Sequence, residues 1–425
     1  MPPIRFIHAA DLHLDAAFSG LSRDIPADFA ERLRTATFTA FRRLLDLCER
    51  ESPDFLLLAG DVYNQEDASV SAQLALRDGF RRLESLSIPV FLVHGNHDPL
   101  ASRLRSVRWP GNVTVFGELP DAVPVFRKGE ETPLAIIHGA SHASGRETRN
   151  LAALFRRTEA CGLHVGLLHA TPGDADGVAR YAPFSQEDLK ASGMDYWALG
   201  HIHDRREVCR EPLAAYPGCT QGLHINEPGE KGCLLVTAEA RPDGGYAVRT
   251  SFRPLGPAVW KTLDMDLGGA ASLDELENRL RTGLDRAAAE VWSGCEMLLV
   301  RLRLQGRTEL DGLLRKGTTC AELADRLRED GSGVPRIWIK DIDVATRPCV
   351  ERGALLERED LLGEVFRLSE AARTASGLQA LREGPLAPLF AHARAGKALE
   401  PLTDEELARL LDDAESLCLD LLEND

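Results

Sequence analysis

The chain has 425 residues, 44% of them hydrophobic and 27% charged, with a formal net charge of −16 at pH 7. That length exceeds what one core usually fills, so two or three domains are expected. Unbroken apolar stretches stop at about five residues, far short of the roughly 18 that cross a bilayer, and the acidity disfavours a protein that must hold nucleic acid unaided.

The first strand, Ile4–Ile7, runs into Asp11 and His13. A cleavable signal peptide would remove both, so the chain reads as cytoplasmic, with no membrane role. Nine scattered cysteines without a CxxC pair then read as reduced thiols. A helix follows over Thr35–Arg50, with apolar residues at Phe38, Phe41, Leu44, Leu45 and Leu47. Phe55–Leu58 is a buried strand ahead of Asp61, Gln73–Leu86 a helix, and Val90–Val93 a strand ahead of Asn96, His97 and Asp98. Arg103, Arg105 and Arg108 with Trp109 follow, a pattern able to grip a backbone and stack a base. Val165–Leu168 then leads into His169, and Tyr196–Leu199 into His201 and His203, with Arg205 and Arg206 directly after as candidate substrate contacts. His8 reads as buried structure, and His94 and His138 as supports near the ligands.

Lys231–Ala238 and Tyr246–Phe252 read as a hairpin turning at Asp243-Gly244-Gly245. Breakers at Arg253–Pro257 mark a linker. A βαβαβ unit follows: Val259–Leu267, Leu273–Val291, Met297–Leu304, Cys320–Arg328 and Arg336–Val344. From Leu355 the chain reads helical; Thr403-Asp404-Glu405-Glu406 is a capping box, and Leu407, Leu410, Leu411, Ala414, Leu417, Leu421 and Leu422 form one apolar stripe. The expected domains are 1–255, 256–347 and 348–425. Residues 350–425 hold 8 basic against 17 acidic residues, so the acidity lies mostly away from the candidate site and suits a protein partner.

Short apolar runs are the length of buried strands, and ligands just past them would line up along one sheet edge. Phosphodiester hydrolysis at neutral pH needs a nucleophilic hydroxide and neutralisation of charge on phosphorus. Two divalent cations sharing one carboxylate supply both. Asp61 is the natural bridge, with Gly60, Gly95 and Gly200 giving sharp turns before the ligands. Asp11 and His13, two apart on an extended chain, can share a cation; His201 and His203 more plausibly serve different ones. Mixed imidazole and carboxylate donors suit Mn, Fe, Zn or Co better than Mg or Ca.

The series Asp11-Leu-His13, Gly60-Asp61, Gly95-Asn96-His97-Asp98, His169 and Gly200-His201-Ile-His203 resembles the five motifs of the calcineurin-like metallophosphoesterases. Within them it is similar to the DNA repair exonuclease branch, the nuclease subunit of bacterial SbcCD complexes. Arg5–Asp15, Tyr216–Thr220 and Gly229–Gly232 resemble its YhaO-type members. The resemblance is strong over about 1–255 and rests on order and size alone for the βαβαβ unit. It implies an α/β chain: a layered β-sandwich flanked by helices, a small capping domain and a helical C-terminal tail.

It also implies that Asp11, His13, Asp61 and His203 hold one metal, and Asp61, Asn96, His169 and His201 the other. His97 stays off the metals and donates a hydrogen bond or proton to the phosphate, with Asp98 orienting it. The implied activity is manganese-dependent cleavage of DNA. The implied partner is an SMC-like coiled-coil ATPase, with homodimerisation also implied. Some members carry a second catalytic histidine where this chain has Asn64, which can donate a hydrogen bond to phosphate but cannot transfer a proton near pH 7. Two rival readings remain: a phosphatase or cyclic-nucleotide phosphodiesterase of the same superfamily, and a catalytically weak scaffold for the ATPase.

Overall fold

A computed structural model describes residues 2–21, 25–63, 69–101, 107–173, 180–242, 244–329, 333–349, 352–392 and 402–422. Asn64, Arg103, Arg105 and the turn residue Asp243 lie outside them.

Twelve strands build two sheets. In chain order they are β1 (Ile4–Ala9), β2 (Phe55–Ala59), β3 (Val90–Val93), β4 (Val113–Val115), β5 (Asp121–Val125), β6 (Ala135–Ala140), β7 (Leu163–His169), β8 (Tyr196–Gly200), β9 (Arg206–Arg210), β10 (Leu213–Tyr216), β11 (Gly232–Ala240) and β12 (Tyr246–Pro254). The first sheet has the order β12-β11-β1-β2-β3-β4 and the second β5-β6-β7-β8-β10-β9. β1 to β4 run parallel, as do β6, β7 and β8.

The apolar runs arise because both faces of these strands are covered. On β2, Phe55, Leu57 and Ala59 enter the core between the sheets, where Val165, Leu167, Tyr196 and Ala198 meet them from β7 and β8. Leu56 and Leu58 point the other way, into a second core under helices α2 (Ala36–Glu51) and α3 (Val70–Ser85). Trp197 and Leu199 on β8 face outward into a third core that includes Leu189 of the short helix Gln186–Ala191. The architecture is thus a β-sandwich with helices on both outer faces. Each fully buried Leu or Phe contributes roughly 1.5–3 kcal/mol, which is why alternation gives way to continuous hydrophobic runs.

The chain divides into two compact units. The first takes in the sandwich and a three-stranded sheet of Ala258–Asp266, Met297–Gln305 and Arg336–Val344, in that order. Trp260, Met297, Leu299 and Trp338 of this sheet share a core with Phe29 and Leu33 of α1 (Ala27–Arg34). Helix α1 was not expected from sequence. The breaker segment is correspondingly short: β12 continues to Pro254 and the next strand starts at Ala258.

The second unit comprises residues 267–275, 305–314 and 346–425. Arg347–Pro348, expected as an endpoint, pairs in parallel with Arg307–Thr308. The expected capping box forms, Glu406 N–H donating to Thr403 Oγ1 at 3.2 Å and Thr403 N–H to Glu406 Oε2 at 2.7 Å. The single apolar stripe does not. Leu407 and Leu419 are buried, Leu419 against Leu355, Leu362 and Phe366, while Leu410, Leu417 and Leu421 stand exposed. Leu407, Leu411, Glu415 and Leu419, spaced by four, follow the packed side of the helix, whereas Leu410, Leu417 and Leu421 lie off it. No helix among the described residues is long and apolar enough to cross a membrane.

Candidate metal centre

The chemistry-bearing side chains sit past the C-terminal ends of parallel strands, but on two sheets rather than one. Asp11, His13, Asp61 and Asn96 follow β1, β2 and β3; His169, His201 and His203 end or follow β7 and β8. Asp11 and His13 are not on extended backbone as expected. Their φ angles are 51° and 41°, and Asp61 and His201 also have positive φ, at 50° and 104°. Such conformations cost on the order of 1–3 kcal/mol each outside glycine and persist where surroundings over-determine them. Here they do: Asp11 N–H donates to Gly60 O and His13 N–H to Asp61 O, both at 3.1 Å, and His201 N–H donates to Asp11 Oδ2 at 3.0 Å.

Of the three glycines before the ligands, one makes the sharp turn expected of all three. Only Gly60 has positive φ, at 89°. The others make room. A Cβ on Gly95 would strike Asp61 Oδ1 and come within 2.8 Å of the His169 ring, and one on Gly200 would strike Ala59 O. His169 therefore lies in a slot bounded by three residues without side chains.

Two donor clusters result. In the first, His13 Nε2 and His203 Nε2 are 3.1 Å apart, and His203 Nε2 is 3.8 Å from Asp11 Oδ1. In the second, Asn96 Oδ1 lies 3.0 Å from His169 Nε2 and 3.2 Å from His201 Nδ1, and His169 Nε2 is 3.3 Å from Asp61 Oδ2. Asp61 reaches both, its Oδ2 also standing 3.9 Å from His13 Nε2. The ligand atoms of Asp11, His13 and His203 lie within 4.8 Å of one another, as do those of Asp61, His169 and His201. His201 and His203, two residues apart, face opposite clusters.

Burial sets the electrostatics. Removal from water pushes the Asp11 carboxyl up to about 6, against the pull of His169 and His203. Burial acts on Asp61 in the same direction, but His169, His13 and His97 outweigh it and hold Asp61 well below the usual carboxylate range. Burial would lower His169, yet the Asp61 charge and hydrogen bond lift it to about 9. Two buried carboxylates that raise the imidazoles beside them draw positive charge into the site, a demand that divalent cations can meet. His169 donates Nδ1–H to Ala59 O at 2.9 Å, which frees Nε2 as a ligand. The residues fit a pair of divalent metals.

His97 is exposed; its N–H donates to Asp61 Oδ1 at 3.0 Å and its ring lies edge-on to His13 at 5.1 Å. Asp98 does not hold it. Among the described residues Asp98 accepts from Gly95 N at 2.7 Å and Val62 N at 3.0 Å, and stands 3.4 Å from His94 Nδ1. An acidic side chain one residue on turns back into its own tight loop, so Asp98 shapes the loop rather than orienting His97. Trp109 packs on Phe80 at 5.3 Å, so the expected base-stacking ring serves the core. Arg205 and Arg206 are exposed, their guanidinium groups 3.9 Å from the Phe252 ring centroid and 5.7 Å from that of Tyr216.

Sequence reasoning missed Glu227. Its Oε1 accepts from His203 Nδ1 at 2.5 Å and its Oε2 from Leu223 N–H at 2.6 Å. Burial favours its neutral acid, but the His203 hydrogen bond and charge hold it at about 2. A carboxylate 24 residues past its partner, on a loop, leaves no periodic signal. His142 was also left unassigned; its Nε2 lies 2.6 Å from His169 O.

Comparison with known proteins agrees with this geometry. Residues 4–205 match the calcineurin-like phosphoesterase family, and residues 260–347 match the middle domain of the metallophosphoesterase YhaO. The chain is 34% identical to the metallophosphoesterase YhaO of Bacillus subtilis (strain 168) over 388 residues, covering 90% of this chain and 91% of that one. It is 27% identical to the DNA double-strand break repair protein Mre11 of Aeropyrum pernix, over 68% of this chain and 69% of that one. To the protein of the same name from Haloferax volcanii it is 24% identical, over 87% and 78%.

Proposed function

This chain belongs to the calcineurin-like metallophosphoesterases, in the branch that holds YhaO, and from that premise we propose that it is a two-metal DNA nuclease, with Mn2+ as its metal. The observation that carries the reading is the division of seven side chains into two donor clusters that share Asp61. Asp11, His13, Asp61 and His203 would hold one cation, and Asp61, Asn96, His169 and His201 the other. When bound, two such cations supply Lewis acidity toward a phosphate and make water acidic enough to attack it at neutral pH.

The residues do the rest. Asp61 fixes the spacing of the two halves and, through the His97 N–H, the loop that carries His97. The exposed His97 imidazole is free to donate to the phosphate or to the leaving oxygen. Arg205 and Arg206, immediately after His203, suit contact with a phosphate backbone. DNA as substrate is supported by the Mre11 relatives, whose name states a role in double-strand break repair.

The proposal extends to a partner. The chain contains no GxxxxGK[ST] loop, so an ATPase such as the SMC-like coiled-coil kind would be a separate subunit. The exposed leucines of the helix Asp404–Leu422 support docking through the acidic tail.

The test is turnover of hairpin and duplex DNA against bis-p-nitrophenyl phosphate, with Mn2+ and with a chelator. Metal-dependent DNA cleavage is expected. Rapid turnover of the small ester with none of DNA would favour a phosphatase or cyclic-nucleotide phosphodiesterase instead.

A further inference from the structure

The second nitrogen of His203 meets a carboxylate: Nδ1 lies 2.5 Å from Glu227 Oε1. His169, its counterpart in the other cluster, meets a neutral backbone carbonyl, Ala59 O, at 2.9 Å. These two histidines are therefore oriented by different devices, one fixed in the main chain and one carried by a side chain.

Glu227 is itself held. Its other oxygen accepts from Leu223 N–H at 2.6 Å, and Glu227 N–H donates to His224 O at 2.9 Å. The loop is clamped at both ends by Trp260, whose Nε1 donates to Gly222 O at 3.0 Å and whose O accepts from Gly229 N–H at 2.9 Å. Trp260 is fully buried, so the clamp belongs to the core shared with the three-stranded sheet.

We propose that Glu227 is a positioning residue: it keeps the His203 proton on Nδ1, turns Nε2 toward Asp11 and His13, and sets the affinity of that half of the site for a divalent cation. A carboxylate behind a ligating imidazole fixes its tautomer and raises its basicity, and losing such a partner typically weakens metal binding about 10–100-fold. The inference rests on the two-metal reading of the same site and names the residue that makes its halves unequal.

The experiment is calorimetric titration of the full chain with MnCl2, for wild type, Glu227→Ala and Glu227→Gln. Wild type should take up two ions. Glu227→Ala should weaken one of them by about 10–100-fold and leave the other within about threefold. Glu227→Gln, which keeps an acceptor of the same shape without its charge, should fall between, and it carries the test alone should the alanine variant fail to fold. Equal weakening of both ions, or two unchanged affinities in both variants, would overturn the assignment while leaving the two-metal site intact. A wild-type chain that takes up no Mn2+ would overturn the two-metal reading itself.

Discussion

His13 and His203 face each other Nε2 to Nε2 across 3.1 Å, although 190 residues separate them. His203 has committed its other nitrogen to Glu227, so its Nε2 presents a lone pair toward His13. Such a pair, with Asp11 3.8 Å from His203 Nε2, is a donor set that suits one cation. Ligand that binds only the folded state stabilises it by about 2.7 kcal/mol at 100 times its Kd. Saturating Mn2+ should therefore raise the melting temperature by several degrees. Asp61→Asn, which weakens the shared donor, should remove most of that rise; a full rise in the variant would show that Asp61 is not shared.

Replacing His97 should separate chemistry from binding. The ring touches His13 at its edge but lies outside both donor clusters. His97→Ala is expected to cut DNA turnover by roughly 10²–10⁴-fold while Mn2+ uptake stays at two ions. Activity within a few-fold of wild type would take His97 out of the mechanism.

Gly95→Ala should damage the site more than the sandwich. The added methyl meets Asp61 Oδ1 and the His169 ring, whereas a methyl on Gly117 meets nothing within 4 Å. Metal-induced stabilisation should vanish in the first variant and persist in Gly117→Ala. Equal behaviour in melting assays with and without Mn2+ would contradict the slot described for His169.

Acid should loosen the fold through buried neutral histidines. Burial lowers His8 to about 3 and His138 to about 4. His8 makes two bonds as a neutral ring, to Tyr196 Oη at 2.9 Å and Leu199 O at 3.1 Å. The unfolded chain takes up protons near pH 6.5 and the folded one does not, so stability present above pH 6.5 is lost as pH falls toward 4 and then 3. The loss from His8 is on the order of 3–5 kcal/mol. Urea unfolding at pH 7.5 and 5.0 should show a smaller difference in His8→Gln than in wild type. An unchanged difference would mean that His8 protonates without cost.

Arg205→Ala should weaken DNA binding and reduce the slope of log K against log salt by about 1. Fluorescence anisotropy over a salt series measures it, and an unchanged slope would remove Arg205 from the interface.

Much of this was legible in the sequence because burial on both faces turns strands into plain apolar runs, and ligands at their ends stand out. Phe55–Leu58 before Asp61 and Tyr196–Leu199 before His201 are such cases. What escaped has a common cause: it depends on which surfaces meet. Nothing in Ala27–Arg34 announces that Phe29 and Leu33 pack beneath Trp260 and Trp338. Asp98 beside His97 suggested a pair, yet loop curvature sends its carboxylate to Gly95 and Val62. Glu227 reaches His203 through a loop clamp invisible to any period. In the tail, the leucines of the expected stripe divide into packed and exposed ones according to which neighbours they meet, and Leu419, outside that stripe, packs against Leu355, Leu362 and Phe366.

The central claim is that Asp61 stands between two cations, and anomalous diffraction from Mn2+-soaked crystals tests it most directly. Two peaks about 3.5–4 Å apart are expected, one beside Asp11, His13 and His203, the other beside Asn96, His169 and His201, with Asp61 touching both. A single peak, or two that leave Asp61 without metal, would contradict it.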